Sequence, residues 1–274
     1  WVFLINSLSF IAVLGALRML RVRELHAKPL AVRSRGSFVE GFKYVWKRPD
    51  LKAALLMQFL IGTFGLNFPI FISTMSVSAF HAGAGEYGVL SSTMAVGSVT
   101  GALLAARRAQ PRMALLLGAT AIFGVGCTVA SLMPNYVLFG IALAFIGVST
   151  QTFNTSTNSL VQLSTEPAMR GRVIAILLAI ALGGTPLGAP VVGWVADRFG
   201  PRWALGVGAA SGFAAALVGL MYLFRYRSLR VFFDAGRLRY SIDEPRQAPP
   251  YVSPAIAVQN AVLDEAEEES SSGV

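Results

Sequence analysis

The chain has 274 residues, of which 54% are hydrophobic and 14% charged, with a mean hydropathy of +0.60. That balance excludes an ordinary soluble domain and points to an all-α, polytopic membrane protein. A net charge of +9 and a pI of about 10.2 could suit nucleic acid, but the basic residues flank apolar runs and form no continuous face. Attraction to anionic lipid accounts for them, and no nucleic-acid partner is expected.

A bilayer core takes about 20 apolar residues per helix. Runs of that kind fall at about 1–20, 53–77, 87–106, 113–133, 136–163, 173–196 and 203–224. The first, Trp1–Leu20, carries one charge, Arg18, near its far end. Basic residues follow it and do not precede it, so it does not read as a secretory signal. It has no initiator Met or polar lead, and the number of runs is odd. We therefore expect a piece of a longer chain.

Residues 21–51 form a long connection. Ser37 and Glu40 have capping-box spacing, and Phe38, Phe42, Val45 and Trp46 recur at helical intervals beside Lys43, Lys47 and Arg48. This pattern predicts a short amphipathic helix at the membrane surface, ended by Pro49-Asp50. It reads equally as a plain lead-in to the next span or as a regulatory element.

Of the 23 Lys and Arg, 21 lie on alternate connections, the exceptions being the two Arg of 197–202. The positive-inside rule puts the rich side in the cytoplasm, with residue 1 outside and the C-terminal tail inside.

The second run holds Gln58 and Asn67 together with Gly62, Gly65 and Pro69. Such interruptions are tolerated where a helix lines protein or water, so both amides are candidate cavity residues, although packing alone would explain them. In the fifth run Gln151, Asn154, Thr155, Asn158 and Gln162 fall on one helical stripe. Amides facing lipid are costly. The stripe therefore lines a cavity, or it bonds to neighbouring helices as packing glue. The sixth run carries Gly184, Pro186 and Gly188, a small-residue surface for helix packing. Gly97-x-x-x-Gly101 and Gly208-x-x-x-Gly212 repeat that signal more weakly.

No run has an Asp, Glu, His or Lys in its middle. Glu86 and Glu166 read as interfacial, His81 has no partner at metal-ligand spacing, and Cys127 reads as a buried thiol. No nucleophile triad, phosphate loop or carboxylate pair is present, so neither an enzyme nor a bound cofactor or metal is expected. The tail, 225–274, passes from basic through Pro-rich to acidic sequence ending in SSSGV, a composition that predicts disorder.

In order and spacing, Asn6-Ser7-Leu8-Ser9-Phe10, Arg48-Pro49-Asp50-Leu51, Tyr87-Gly88, Arg170-Gly171-Arg172-Val173, Pro186-Leu187-Gly188 and Gly193-x-x-x-Asp197-Arg198-x-Gly200-Pro201-Arg202 resemble the C-terminal half of a major facilitator superfamily transporter. The likeness is to its drug-exporter branch of enterobactin- and macrolide-efflux-like proteins. By that resemblance the seven runs are transmembrane helices 6–12 of a twelve-helix fold. Residues 1–20 then end the first bundle, 21–51 are the cytoplasmic link, and 52–224 form the second six-helix bundle. The resemblance implies a bacterial plasma-membrane exporter of a small molecule, coupled to protons, with its cavity between helices seven and ten. Those helices hold Gln58, Asn67 and the stripe. The basic loop residues Arg107, Arg108, Arg170 and Arg172 would stand at the cytoplasmic gate. One departure is that Ala105 occupies the place of the family's latch Asp, which leaves a latch at Arg107 and Arg108 in doubt. A non-transporting scaffold or receptor-like subunit stays open as the rival. We expect any coupling acid, and half of the cavity, in a missing N-terminal bundle, and no transport by this chain alone.

Overall fold

The computed structural model describes residues 2–19, 37–106, 113–226, 230–234 and 237–241. The chain divides into two units, Trp1–Ser37 and Phe38–Val274. The first contains helix α1 (Val2–Met19), an 18-residue apolar helix.

The second unit takes in α2 (Ser37–Lys47) from Phe38 onward, followed by α3 (Pro49–Leu60) and α4 (Phe68–Thr74). After these come α5 (Ala84–Ala106), α6 (Met113–Leu132), α7 (Tyr136–Ser164), α8 (Arg170–Phe199) and α9 (Pro201–Tyr226). Six stretches among the described residues are long and apolar enough to cross a membrane: Pro49–Ala79, which contains α3 and α4, and those of α5 to α9. The sequence reading counted seven runs, the additional one being that of α1, which lies outside this set of six.

The Pro49–Ala79 stretch is broken. The α-helical ladder of α3 widens into a π turn at Ile61–Gly65, opens at Leu66 and Asn67, and resumes as α4 before a second π turn at Met75–Ala79. Gly62 and Gly65 weaken the ladder from one side. Pro69, in the first turn of α4, has no N–H to contribute where a helix start leaves donors unused anyway.

Three close crossings hold the bundle together, each made by glycine. A methyl group on Gly101 of α5 would meet the Val148 carbonyl oxygen of α7 at 2.6 Å, and Gly97 abuts the Ala144 carbonyl one turn away. Gly212 of α9 lies against Gly124 of α6, where an added Cβ would fall 2.7 Å from the Gly124 backbone. Gly184 and Gly188 of α8 lie on Gly62 and Thr63 of the first π turn. Lipid tails are as apolar as leucine, so contact of this kind supplies the association energy of membrane helices. Between the crossings Phe68, Phe71 and Phe123 pack edge to face, their centroids 5.8 and 6.2 Å apart.

Helix ends are closed locally. Asn135 caps α7 by accepting from the Leu138 amide at 3.0 Å. Gly200, at φ +99°, makes the α8–α9 corner in a region costly for other residues. Arg202 donates to the carbonyls of Ser131 and Met133 at 3.0 and 3.2 Å, satisfying the end of α6.

In the tail, β1 (Arg230–Asp234) and β2 (Arg237–Ser241) pair antiparallel, Arg230 opposite Ser241. Regular pairing thus occurs where composition led us to expect disorder. Val231, Phe232 and Phe233 on one side of a short link, and Tyr240 on the other, are residue types favoured in strands. The acidic end lies outside the described residues.

Candidate functional site

Helix α7 presents two kinds of polar surface. Ser149, Thr150, Thr152, Ser156 and Thr157 are buried with Phe153 among the packed helices. Gln151, Asn154 and Thr155 are half-buried, and Asn158 and Gln162 are exposed. The amide stripe therefore runs up the open side of the helix, roughly 16 Å from end to end at 1.5 Å per residue.

Gln58 of α3 is buried, and its Nε2 donates to Asn154 Oδ1 at 3.5 Å, the outer limit of such a bond. Within the stripe Gln151 Nε2 donates to Thr155 Oγ1 at 3.3 Å, and Asn158 Nδ2 to the Asn154 carbonyl at 2.9 Å. Gln58 and the middle of the stripe are thus brought together. The bonds within the stripe join residues four apart, which orients the side chains along one face and leaves acceptor and donor capacity on each amide.

Asn67 stands apart from that group. It is buried, and its Nδ2 donates to the Thr63 carbonyl at 2.7 Å, satisfying a group that the break in the helix releases. The Thr185 hydroxyl of α8 supports the neighbouring Gly62 carbonyl at 3.4 Å. Four of the five buried polar atoms without a partner among the described residues lie at these two places. They are Thr63 Oγ1 and Asn67 Oδ1 at the break, and the Thr150 and Thr157 hydroxyls on α7. Sequence reasoning passed over both threonines, although their seven-residue interval puts them on one face beside the stripe.

Arg107 and Arg108 lie outside the described residues. Arg170 is exposed at the start of α8. Arg172 pairs with Glu40 of α2 at 2.6 Å, so this carboxylate, read as a capping group, reaches a second helix. Arg48 holds Asp50 through two bonds, at 2.8 and 3.1 Å, and also donates to the Ser164 carbonyl at 3.1 Å. The latter is the C-terminal end of α7, where a cation complements the helix dipole. The hydrogen bonds that Arg48 donates to Asp50 raise its guanidinium above the ordinary value. Among the described residues no three metal-binding side chains come together.

A helical bundle with a broken spanning helix, glycine crossings and one polar helix face fits a membrane protein of the major facilitator type. The family model described as transmembrane secretion effector matches residues 1–232, and the chain belongs to that family. The multidrug efflux pump Tap of Mycolicibacterium fortuitum is 29% identical over 59% of this chain and 40% of its own length. The enterobactin exporter EntS of Shigella flexneri is 25% identical over 79% of this chain and 48% of its own. The chain thus spans about half the length of the curated relatives it matches. The Escherichia coli fucose:proton symporter FucP shares the fold, with a TM-score of 0.55 at 16% identity over 70% of this chain and 47% of its own.

Proposed function

We propose that this chain supplies one half of the cavity of an alternating-access exporter for a small amphipathic molecule, exchanged for protons. The observation that carries the proposal is the α7 stripe. Its amides lie on the open face of the helix, and Gln58 approaches them across the α3–α7 contact. Amides without charge suit hydrogen bonding to a neutral or zwitterionic cargo. In alternating access one bundle rocks against another around a fixed site, and broken helices serve as its moving walls. Export relatives of the same family support the direction, and the positive-inside count supports a cytoplasmic C-terminus. The proton step needs an acid, and none lies in the middle of the spans described here. That acid is assigned to a partner bundle.

A second reading is favoured by the bonds inside the stripe, Gln151 to Thr155 and Asn158 to Asn154, which satisfy amides without any cargo. On that reading the chain is a scaffold. Efflux of fluorescent amphipathic compounds from cells making the full-length protein separates the two. Export lost on dissipating the proton gradient supports the first reading. Accumulation equal to that of cells without the protein supports the second.

A further inference from the structure

Helix α2 has two faces, and among the described residues only one has a partner. Gly41 and Val45 are buried against α8, where Arg172 and Ile176 stand within 3.0 and 3.3 Å of the Gly41 Cβ position. On the other face Phe38, Val39, Phe42 and Trp46 are 61%, 55%, 48% and 62% exposed. The Phe42 and Trp46 rings lie 5.4 Å apart, so this face is a continuous apolar stripe.

The charges left unpaired on α2 and the first turn of α3 are basic. Both acids of the segment are engaged, Glu40 by Arg172 and Asp50 by Arg48. Lys43, Lys47 and Lys52 are exposed, and Lys52 Nζ lies 5.0 Å over the Trp46 ring. The level of the stripe follows from its neighbours. Lys52 belongs to the first turn of the spanning α3, and Arg48 reaches the last residue of α7. The rings therefore stand where spans leave the hydrocarbon, the depth at which Trp and Lys anchor membrane proteins.

We propose that this face of α2 docks on the anionic lipid headgroups of the leaflet it borders. The rings enter the acyl boundary while the three lysines meet the phosphates. Through Glu40–Arg172 and Arg48–Ser164 the docked helix bears on α8 and on α7, the helix that carries the amide stripe. Lipid charge then sets the position of the cavity wall. The docking itself rests on the spanning helices and does not depend on the export reading.

The test uses the full-length protein in nanodiscs, with Cys127→Ala and any further cysteines replaced. A bimane label is placed at Phe42→Cys and, separately, at Val39→Cys. In phosphatidylcholine discs containing phosphatidylglycerol, nitroxide lipids quench both labels and aqueous iodide does not; without phosphatidylglycerol the preference reverses. Each lysine favours the docked state about five-fold, so the triple change Lys43→Gln, Lys47→Gln and Lys52→Gln restores iodide quenching in the anionic discs. Equal iodide quenching in both discs would overturn the proposal. So would protection from both quenchers, which marks a face covered by protein.

Discussion

Gln58 Nε2 lies 3.5 Å from Asn154 Oδ1, joining the broken spanning helix to the amide face of α7. The two residues are 96 apart in sequence, and this is the point at which α3 and α7 share a polar contact. On the export reading, a cargo bonding to Asn154 and Asn158 meets a wall that α3 shares through Gln58. Replacing both by Leu removes hydrogen bonds of about 1 kcal/mol each, so export by the full-length protein falls about ten-fold or more. Membrane insertion, followed by membrane fractionation, stays normal because Leu is favoured in lipid.

Gly188 places the test of the helix crossing. A Cβ there falls onto the Thr63 carbonyl oxygen, whereas one on Gly193, five residues on, meets nothing within 4 Å. Gly188→Ala is expected to cost about 1–3 kcal/mol and to lower the thermal midpoint in detergent. Gly193→Ala leaves it unchanged or slightly raised, since Ala is the better helix former.

Asn67 has a backbone role, and its variants differ by chemistry. Asn67→Ala leaves the Thr63 carbonyl without its 2.7 Å donor, at a cost of about 1–3 kcal/mol. Asn67→Asp costs more, because an acceptor is then buried against an acceptor. Thermal unfolding in detergent ranks the two, and an Asp variant as stable as wild type would remove this role.

At the α2 end, the Glu40–Arg172 pair is part exposed and worth under about 1 kcal/mol in a double-mutant cycle. Arg48→Ala costs more than Glu40→Gln, because Asp50 and the Ser164 carbonyl both lose their partner. Amide exchange across residues 38–47 reads this directly. Protection falls modestly for Glu40→Gln and strongly for Arg48→Ala, while that of α6 is unaffected.

The spans were legible because a bilayer sets a length, and apolar composition follows it. Their ends were less so: α8 runs from Arg170 to Phe199, beyond the apolar run at 173–196, since apolarity marks the hydrocarbon core and not the last hydrogen bond. The stripe was legible because offsets of three and four residues survive in any α-helix. Gly62, Gly65 and Pro69 pointed to a break, but not to a π turn at Ile61–Gly65 or to Asn67 turning back onto Thr63. Gly97 and Gly101 read as a weak motif because the cost of a methyl group there is set by Ala144 and Val148, more than forty residues away. Glu40 looked like a local cap for the same reason. Its partner, Arg172, lies 132 residues on and leaves no periodic signal.

The most direct test of the cavity is thiol reactivity along α7 in the full-length protein in membranes, with Cys127→Ala as background. Cysteine is introduced singly at Gln151, Asn154 and Asn158 on the stripe, at the buried Thr150 and Thr157, and at Phe145, which is 66% exposed on an apolar face. A water-soluble maleimide is expected to label the three stripe positions and to leave the other three unmodified. Stripe positions no more reactive than Phe145→Cys would place the amides against lipid or protein, and the cavity would be contradicted.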